Sequence, residues 1–502
     1  MKRSISSLPI TLFAILATMG TLVVQAAPVG QQAFAVSVKD VGAKGDGVTD
    51  DTAAIESALA DAAEQNGIVF FPPGEYLISR GIYMHSNLVV TGAPGAILKK
   101  IPAITQAYTQ PVEAGATEVT VQDANAYQVD QDFYLWDGEG SAFTGLTGKI
   151  TAIDSATNRI TFEAYRSEGA AKAYGIDKTP MFSTSFSMLT TNSTKNAVEN
   201  LVIEGMTFDC QRQADEPTAY NLAAIHIDPQ KPERNQRNII IRNNTILNSA
   251  SDGISMQGSG EVTIEGNRVY DCAVQGIHVG FTIARVTIKD NTVERCGGSA
   301  IFWCYGVREM IVTHNFIKDC AIGCGGIDFD GYNSVIAFNS FTGSGTAINM
   351  SGCLDGRTVI TGNFFEDSKG TDIEAYVSRF LVISSNTFSG GKHVGISLRG
   401  TERASVVDNQ FFEYEGDYAI RLWRQPGGPK RHSKLIRISG NIITGGKRAA
   451  IFLEDSSQVM ISENQIAPGE GAKAISIAAS CTNITLRDNM VEGEILNESA
   501  PK

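Results

Sequence analysis

Positive charge is scarce in this chain. Its 502 residues carry 41 Lys and Arg against 54 Asp and Glu, a formal charge of −13. An acidic exterior argues against nucleic acid as a partner, because phosphate binding depends on Lys and Arg. It leaves room for a local basic groove. Beyond the N-terminal stretch there is no apolar run long enough to cross a bilayer. No Cys-x-x-Cys or Cys/His spacing suggests zinc, although there are eight cysteines. A mean hydropathy of −0.05 and 50 glycines fit a turn-rich, soluble β protein.

What is abundant is a repeat. A small residue, Ile, any residue, an apolar residue and any residue recur from Asn221 to Val491. Examples are Ala-Ile-His-Ile-Asp at 224–228, Gly-Ile-His-Val-Gly at 276–280 and Gly-Ile-Asp-Phe-Asp at 326–330. The anchors are Ile225, Ile254, Ile277, Ile301, Ile327, Ile348, Ile373, Ile396, Ile420, Ile451 and Ile475, a mean period of 25 residues. A fixed period of that size means a solenoid. Each unit also carries apolar residues alternating up to an Asn. That column runs Asn244, Asn267, Asn291, Asn315, Asn339, Asn363, Asn386, Asn409, Asn441, Asn464 and Asn489. Period-two alternation in short runs is a strand signal. A 25-residue coil of two or three short strands is one turn of a parallel β-helix. Eleven asparagines at one phase predict a stacked amide ladder that satisfies the turns. Cys272, Cys296 and Cys320 recur every 24 residues. They predict a ladder of small buried hydrophobes, although strand spacing also permits a disulfide.

Taken from its start, Met1–Ala26 has Lys2 and Arg3, an apolar run from Leu8 to Val24 and small residues at its end. It reads as a signal peptide cleaved after Ala26, with the product secreted or periplasmic. No membrane contact is expected after cleavage, and the oligomeric state has no signal. The β-helix domain is expected over 35–502. Thr49, Asp50 and Asp51 can cap a helix whose Ile55, Leu59 and Ala62 share one face. That helix would cover the exposed first coil. Strand-like runs at 117–121, 132–136, 149–154 and 159–162 predict a small β subdomain inserted over 110–165.

The run Asp40-Val-Gly-Ala-Lys-Gly-Asp-Gly-Val-Thr-Asp-Asp-Thr-Ala-Ala-Ile55, with Phe71-Pro-Pro-Gly-Glu-Tyr76, resembles the N-terminal signature of the pectate lyase-like superfamily. The resemblance implies an all-β, right-handed parallel β-helix, shared by polygalacturonases, uronate lyases, alginate epimerases and tailspike hydrolases. No catalytic set carries over as a unit. Of the polygalacturonase motifs, Ser251-Asp252-Gly253-Ile254 matches only at the Asp. Of the epimerase motif Asp-Pro-His-Glu, only Asp228-Pro229 is present.

The chemistry is therefore read from the repeat. The two variable positions flank an inward residue and point outward. One outward column contains His226, Ser255, His278, Phe302, Asp328, Asn349, Glu374, Ser397, Arg421, Phe452 and Ser476. The other contains Asp228, Gln257, Gly280, Cys304, Asp330, Ser351, Tyr376, Arg399, Trp423, Glu454 and Ala478. Aromatics, histidines and both signs of charge on one face predict a groove for a polysaccharide. Loops at 229–237 and 424–432, with Lys231, Arg234, Arg237, Arg424, Lys430 and Arg431, are expected to wall it. Asp328 and Asp330 would face the same way ~6.5–7 Å apart, with Glu374 ~9.6 Å from Asp328. That spacing suits the acid and base of glycoside hydrolysis, with His278 nearby as a further catalytic candidate. A calcium site is the alternative use of these carboxylates; otherwise no cofactor is required. His226, Asp228, Gln257, Tyr376, Arg399, Arg421 and Trp423 are the expected substrate-binding residues. β-Elimination or epimerisation of a uronate polymer is the competing reaction. It would use His278, His226 or Tyr376 as base and Arg399, Arg421 or Arg237 against the carboxylate. A glycan-binding surface protein without catalysis is the third reading.

Overall fold

A computed structural model describes residues 34–139, 145–165, 172–191, 197–219, 222–228, 236–304, 306–327, 333–351, 356–424 and 431–499. The expected signal peptide, Lys231, Arg234, Lys430, Asp328 and Asp330 lie outside these residues. The architecture is a parallel β-solenoid built of three long sheets, two of 15 strands and one of 14. Each coil contributes a strand to the first sheet, then the second, then the third. One coil shows the order: Ser259–Glu265, Arg268–Tyr270 and Ile277–Gly280. All pairing between coils is parallel, so every strand buries the same phase of side chains as its neighbours. The inward residues Ile225, Ile254, Ile277, Ile301, Ile348 and Ile373 are fully buried.

At the corner between the first and second sheets the Asn column forms a continuous ladder. Asn315 Nδ2 donates to Asn339 Oδ1 at 2.9 Å and to the Ile288 carbonyl at 3.0 Å, while its backbone N–H also donates to Asn339 Oδ1 at 2.9 Å. The same amide-to-amide bond links every rung from Asn244 to Asn489. Burying an amide costs little when its donors and acceptor all find partners. Beside it, Phe341, Phe365, Phe388 and Phe411 stack with centroids 5.2, 4.7 and 4.3 Å apart and nearly parallel planes. Cys272, Cys296 and Cys320 are buried free thiols.

One coil departs from the expected register. The strand Ile322–Ile327 pairs through Ile301↔Cys324 and Cys324↔Ile348, and Ile327 pairs with Cys304 and Ser351. The inward rung is therefore Cys324, fully buried, three residues before the expected anchor Ile327. Gly325 and Ile327 take the ladder positions that the repeat had assigned to Asp328 and Asp330. The apolar phrase Gly-Ile-Asp-Phe-Asp imitates the repeat, but Cys324 lies 23 residues after Ile301 and 24 before Ile348, closer to the period than Ile327.

The helix α1, Thr52–Ala63, buries Ile55, Ala58, Leu59 and Ala62 against the first strands. Its Asp51 accepts instead from the Lys44 and Gly45 N–H groups at 2.6 and 2.9 Å, tying down the glycine-rich run. Thr52 N–H donates to Asp50 Oδ1 at 3.0 Å. Between Lys100 of the second sheet and Leu189 of the third, a six-stranded antiparallel sheet interrupts the coil. It takes in strands from Thr105–Gln106 to Met181–Ser183, so it extends beyond 110–165 on both sides. Its core gathers Tyr108, Phe133, Leu135, Ile150, Phe162 and Phe182. Among the described residues no helix is long and apolar enough to cross a membrane.

Two outcomes follow from this packing. Ile348→Ala should cost ~2–5 kcal/mol by denaturant unfolding, the range for a cavity in a core that cannot collapse. The second concerns Asp372, fully buried at the start of a third-sheet strand, where the Tyr414 hydroxyl donates to Oδ2 at 2.9 Å. Burial pushes its carboxyl up to about 7, against hydrogen bonds from Ser368 and Tyr414 that lower it. The folded state then holds a proton that the unfolded chain releases near the ordinary value of 3.8. Stability should fall as pH rises from about 4 to 7. Asp372→Asn should remove that slope and raise stability at pH 8, by on the order of 4 kcal/mol at most. Parallel pH–melting curves of the two proteins would check it.

Candidate functional site

Outward residues of the third sheet form two ladders. The first runs Tyr83, Thr190, His226, Ser255, His278, Phe302, Gly325, Asn349, Glu374, Ser397, Arg421, Phe452 and Ser476. The second runs Gln257, Gly280, Cys304, then through the backbone position of Ile327 to Ser351, Tyr376, Arg399 and Trp423. Parallel pairing places chemically different side chains ~4.8 Å apart along a straight line. The face holds two clusters of interacting groups.

The first centres on His278. Its Nδ1 lies 2.8 Å from Asp252 Oδ2, and its Nε2 lies 3.5 Å from Cys304 Sγ. Asp252 is fully buried and also accepts from the Gln275 N–H at 3.0 Å. Burial alone would lower the His278 pKa; the Asp252 charge and hydrogen bond outweigh it and hold the ring at about 9. At neutral pH His278 is thus an imidazolium, suited to donate a proton or to face an anion and not to act as a base. The Phe302 ring packs edge-on against it at 4.9 Å.

The second cluster alternates aromatic rings and guanidinium groups. Arg399 pairs with Glu374 at 2.5 Å and lies 5.2 Å from the Tyr376 ring centre and 5.3 Å from that of Trp423. Arg421 lies 4.1 Å from the Trp423 ring, 5.3 Å from Tyr418 and 5.8 Å from Phe452, and 3.8 Å from Glu454. The Trp423 Nε1–H donates to Ser397 Oγ at 3.0 Å. Trp423, expected to stack on a sugar, thus carries two guanidiniums over its ring and donates its N–H to a neighbour. Ser397 is buried under it.

The remaining expectations are scattered. Asp328 and Asp330 follow the last residue of their strand and lie outside the described residues. The register shift removes the geometric reason for placing them beside Glu374 on this face. Glu374 itself is held by Arg399. His226 is fully buried, with Nε2 3.6 Å from Asp228 Oδ2, so neither its ring nor the 8% exposed Asp228 lines an open groove. Gln257 is nearly buried, and its Nε2 donates to Ser255 Oγ at 3.3 Å. Arg237 is on the first sheet, paired with Glu199 at 3.0 Å, and does not wall the third-sheet face. Arg424 pairs with Asp455 at 3.5 Å.

Sequence reasoning noted Asp252 only as a motif remnant, and missed Asp252 and Cys304 as partners of His278 and the rings of Tyr418 and Phe452 as partners of Arg421. The junction of inserted sheet and solenoid, the alternative place for an active face, was foreseen without its residues. There Asp132 accepts from the Gly81 N–H at 2.9 Å and from the Tyr165 hydroxyl, and burial raises its carboxyl pKa. Asp132 and Tyr165 line a small pocket with Tyr83, Phe186, Thr190 and Leu222. Among the described residues no group of three or more His, Cys, Asp or Glu is arranged to hold a metal ion.

Three family profiles match along the chain. "Rhamnogalacturonase A/epimerase, pectate lyase-like" covers 35–278, "Right handed beta helix region" covers 232–329, and "Periplasmic copper-binding protein (NosD)" covers 287–427. The chain thus resembles the pectate lyase-like proteins over its first half and right-handed parallel β-helix proteins beyond it. No single enzyme family accounts for it. The plasmin and fibronectin-binding protein A of Streptococcus pneumoniae is 25% identical over 443 residues, 76% of this chain and 58% of its own length. The Bacillus phage phi29 pre-neck appendage protein is 43% identical over 88 residues, 16% of this chain and 10% of its length. The chain thus spans less than two thirds of the length of these curated relatives. Among solved structures, the A-module of the Azotobacter vinelandii mannuronan C-5 epimerase AlgE6 superposes with a TM-score of 0.55 at 14% identity. The match covers 93% of this chain and 99% of that one. That likeness is one of fold.

The state of His278 is directly measurable. Its ring signals should titrate near pH 9 in a histidine NMR experiment, and Asp252→Asn should move that midpoint toward the ordinary value of 6.5. The folded pKa is the higher one. This pair therefore contributes its full stability below about pH 6.5 and loses it as pH rises through 9.

Proposed function

We propose that the protein is an exported polysaccharide-active enzyme that takes an acidic glycan lengthwise along the outward face of the third sheet. The observation that carries this reading is the half-buried row of Tyr376, Arg399, Arg421, Trp423 and Phe452, with the buried Tyr418 ring beside Arg421. Aromatic planes give a sugar apolar area with few rotors to freeze, and guanidiniums bind carboxylate or sulfate groups with directed hydrogen bonds. Six coil steps separate His278 from Arg421, ~29 Å at strand spacing, enough for several sugar units.

Within this reading the arginine cluster binds and the His278 end supplies chemistry. A protonated imidazole can neutralise a uronate carboxylate or protonate a leaving oxygen, which favours β-elimination or epimerisation over two-carboxylate hydrolysis. Hydrolysis stays as the second reading because Asp328 and Asp330 follow directly on a strand of this face, and calcium stays with them as their other use. The epimerase-like fold and the leader-like N-terminus support an extracellular or periplasmic glycan substrate.

A panel of acidic and neutral polysaccharides tests both parts. Arg421→Ala should weaken binding of an acidic glycan in affinity electrophoresis by about 10–100-fold, the weight of one charge-assisted contact. Neutral glycans should be affected less. His278→Gln should cut turnover ~10²–10⁴-fold while binding persists. Ultraviolet absorbance of an unsaturated product would identify elimination. New reducing ends without it, abolished by Asp328→Asn, would establish hydrolysis instead. Unchanged binding in Arg399→Ala and Arg421→Ala would refute the groove.

A further inference from the structure

Asp252, His278 and Cys304 stand in a line: carboxylate, imidazole, thiol. The two gaps are 2.8 Å and 3.5 Å. The three residues come from three consecutive coils, Asp252 beside the strand Ile254–Gln257, His278 in Ile277–Gly280 and Cys304 at the end of Ser299–Cys304. Of the seven cysteines described, Cys304 is the one that is not buried. The other six sit among hydrophobic residues or in the Cys ladder, away from any imidazole that the structure pairs with them.

A second feature points to the same spot. The residue between Gln257 and Cys304 in the ladder is Gly280. A Cβ there would lie 2.7 Å from Cys304 Sγ, 2.7 Å from Gln257 Oε1 and 3.3 Å from His278 Nε2. Thiol, amide and imidazole therefore converge on a space that any side chain at 280 would fill. Gly280 is not in the left-handed region, so backbone conformation does not demand glycine here. Vacancy at the meeting point of three reactive heads is the remaining physical account.

We infer that Cys304 is a nucleophile served by His278 and oriented through Asp252, and that this centre removes small O-acyl groups from the glycan. The steps balance. Above about pH 9, where His278 has lost its extra proton, Cys304 passes its proton to the neutral ring's Nε2, and the thiolate sulfur attacks the ester carbonyl carbon. The C–O bond then breaks, and the sugar oxygen leaves with the proton from His278, giving a thioester on Cys304. Water attacks the thioester with His278 as base, releasing a carboxylic acid and restoring the thiol. Asp252 is a positioning residue: its bond to Nδ1 turns Nε2 toward the sulfur. Gln257 can place its amide N–H at the developing oxyanion. Turning that amide keeps its bond to Ser255, because a hydroxyl both donates and accepts. Nature of the natural ester donor rests on the glycan reading above; reactivity of the thiol does not.

The probe is 4-nitrophenyl acetate with the full-length protein. Assayed at or above about pH 9, where the ring is neutral, wild type should release nitrophenolate in a burst of one equivalent per chain, and peptide mapping should find the acetyl group on Cys304. Cys304→Ser and Gly280→Ala should each lower the rate by at least ~10²-fold. Asp252→Asn should shift the pH profile of acylation to lower pH, the direction expected when the imidazole loses its carboxylate; Asp252 and Cys304 are the ionisable side chains that face His278 here. Acetyl found on any other residue, Cys353 included, or a wild-type rate in Cys304→Ser, would overturn the proposal. Should the variants not fold, iodoacetamide mapping of the wild type decides: alkylation of Cys304 no faster than of buried Cys324 overturns it. Affinity electrophoresis of Cys304→Ser on the acidic glycan separates the two readings. Acylation without glycan binding sinks the groove and keeps the thiol; binding without acylation does the reverse.

Discussion

Everything in this molecule depends on coil stacking in strict register. A single coil has no core of its own; its inward residues are covered only when the next coil lies on it. Side chains alternate with period two, so a slip of one residue would turn the buried set outward. The Asn ladder opposes such a slip. Each amide oxygen takes two hydrogen bonds from the coil before, and each amide nitrogen reaches both the next rung and a carbonyl of the preceding coil. A displaced rung would leave several buried polar atoms without partners, each costing roughly 1–3 kcal/mol. The apolar stacks reward the correct register, and the amides penalise the wrong one.

The same rigidity fixes the geometry of the third-sheet face. Groups there stand at fixed intervals on paired strands, so their distances change little. Charges on the face are matched locally: His278 with Asp252, Arg399 with Glu374, Arg421 with Glu454. An acidic protein can thus keep cations on one face without gathering a strongly basic patch. Asp252 is fully buried and Glu374 half-buried, so the attraction in these two pairs is less screened than in surface pairs such as Arg285–Glu261.

Much of this was legible because a repeat states the fold many times over. Asn column, Phe column, capping helix and outward face all follow from phase. The failure at Ile322–Ile327 has a clear cause. Gly326 and Ile327 match the repeat phrase, while the true inward residue is a cysteine flanked by glycines, which carries little hydrophobic signal. Core burial there accepts Cys324 because Trp303, a large neighbour, fills the same layer, and a Cβ on Gly326 would collide with its ring. The Asp252–His278–Cys304 line was hidden for another reason. Asp252 precedes the repeat phrase by one residue and sits at a corner, so its meeting with a ring one coil away depends on how the corner turns. The alternation rule describes strands and is silent about corners.

The inserted sheet makes the solenoid discontinuous along the chain but continuous in space. Ile82–Tyr83 pairs with Leu189–Thr190, although 88 residues separate Lys100 from Leu189. Closing so long a loop in place of a 24-residue coil costs only about 1 kcal/mol more in chain entropy. The larger effect is on timing. A solenoid can grow coil by coil from any nucleus, each new coil needing only its immediate predecessor. Here growth from the N-terminal cap must cross the interval from Lys100 to Leu189 before the next coil can be laid on the stack. The cap with its first coils and the long array after Leu189 are therefore two separate growth zones, and the inserted sheet is the joint at which they meet.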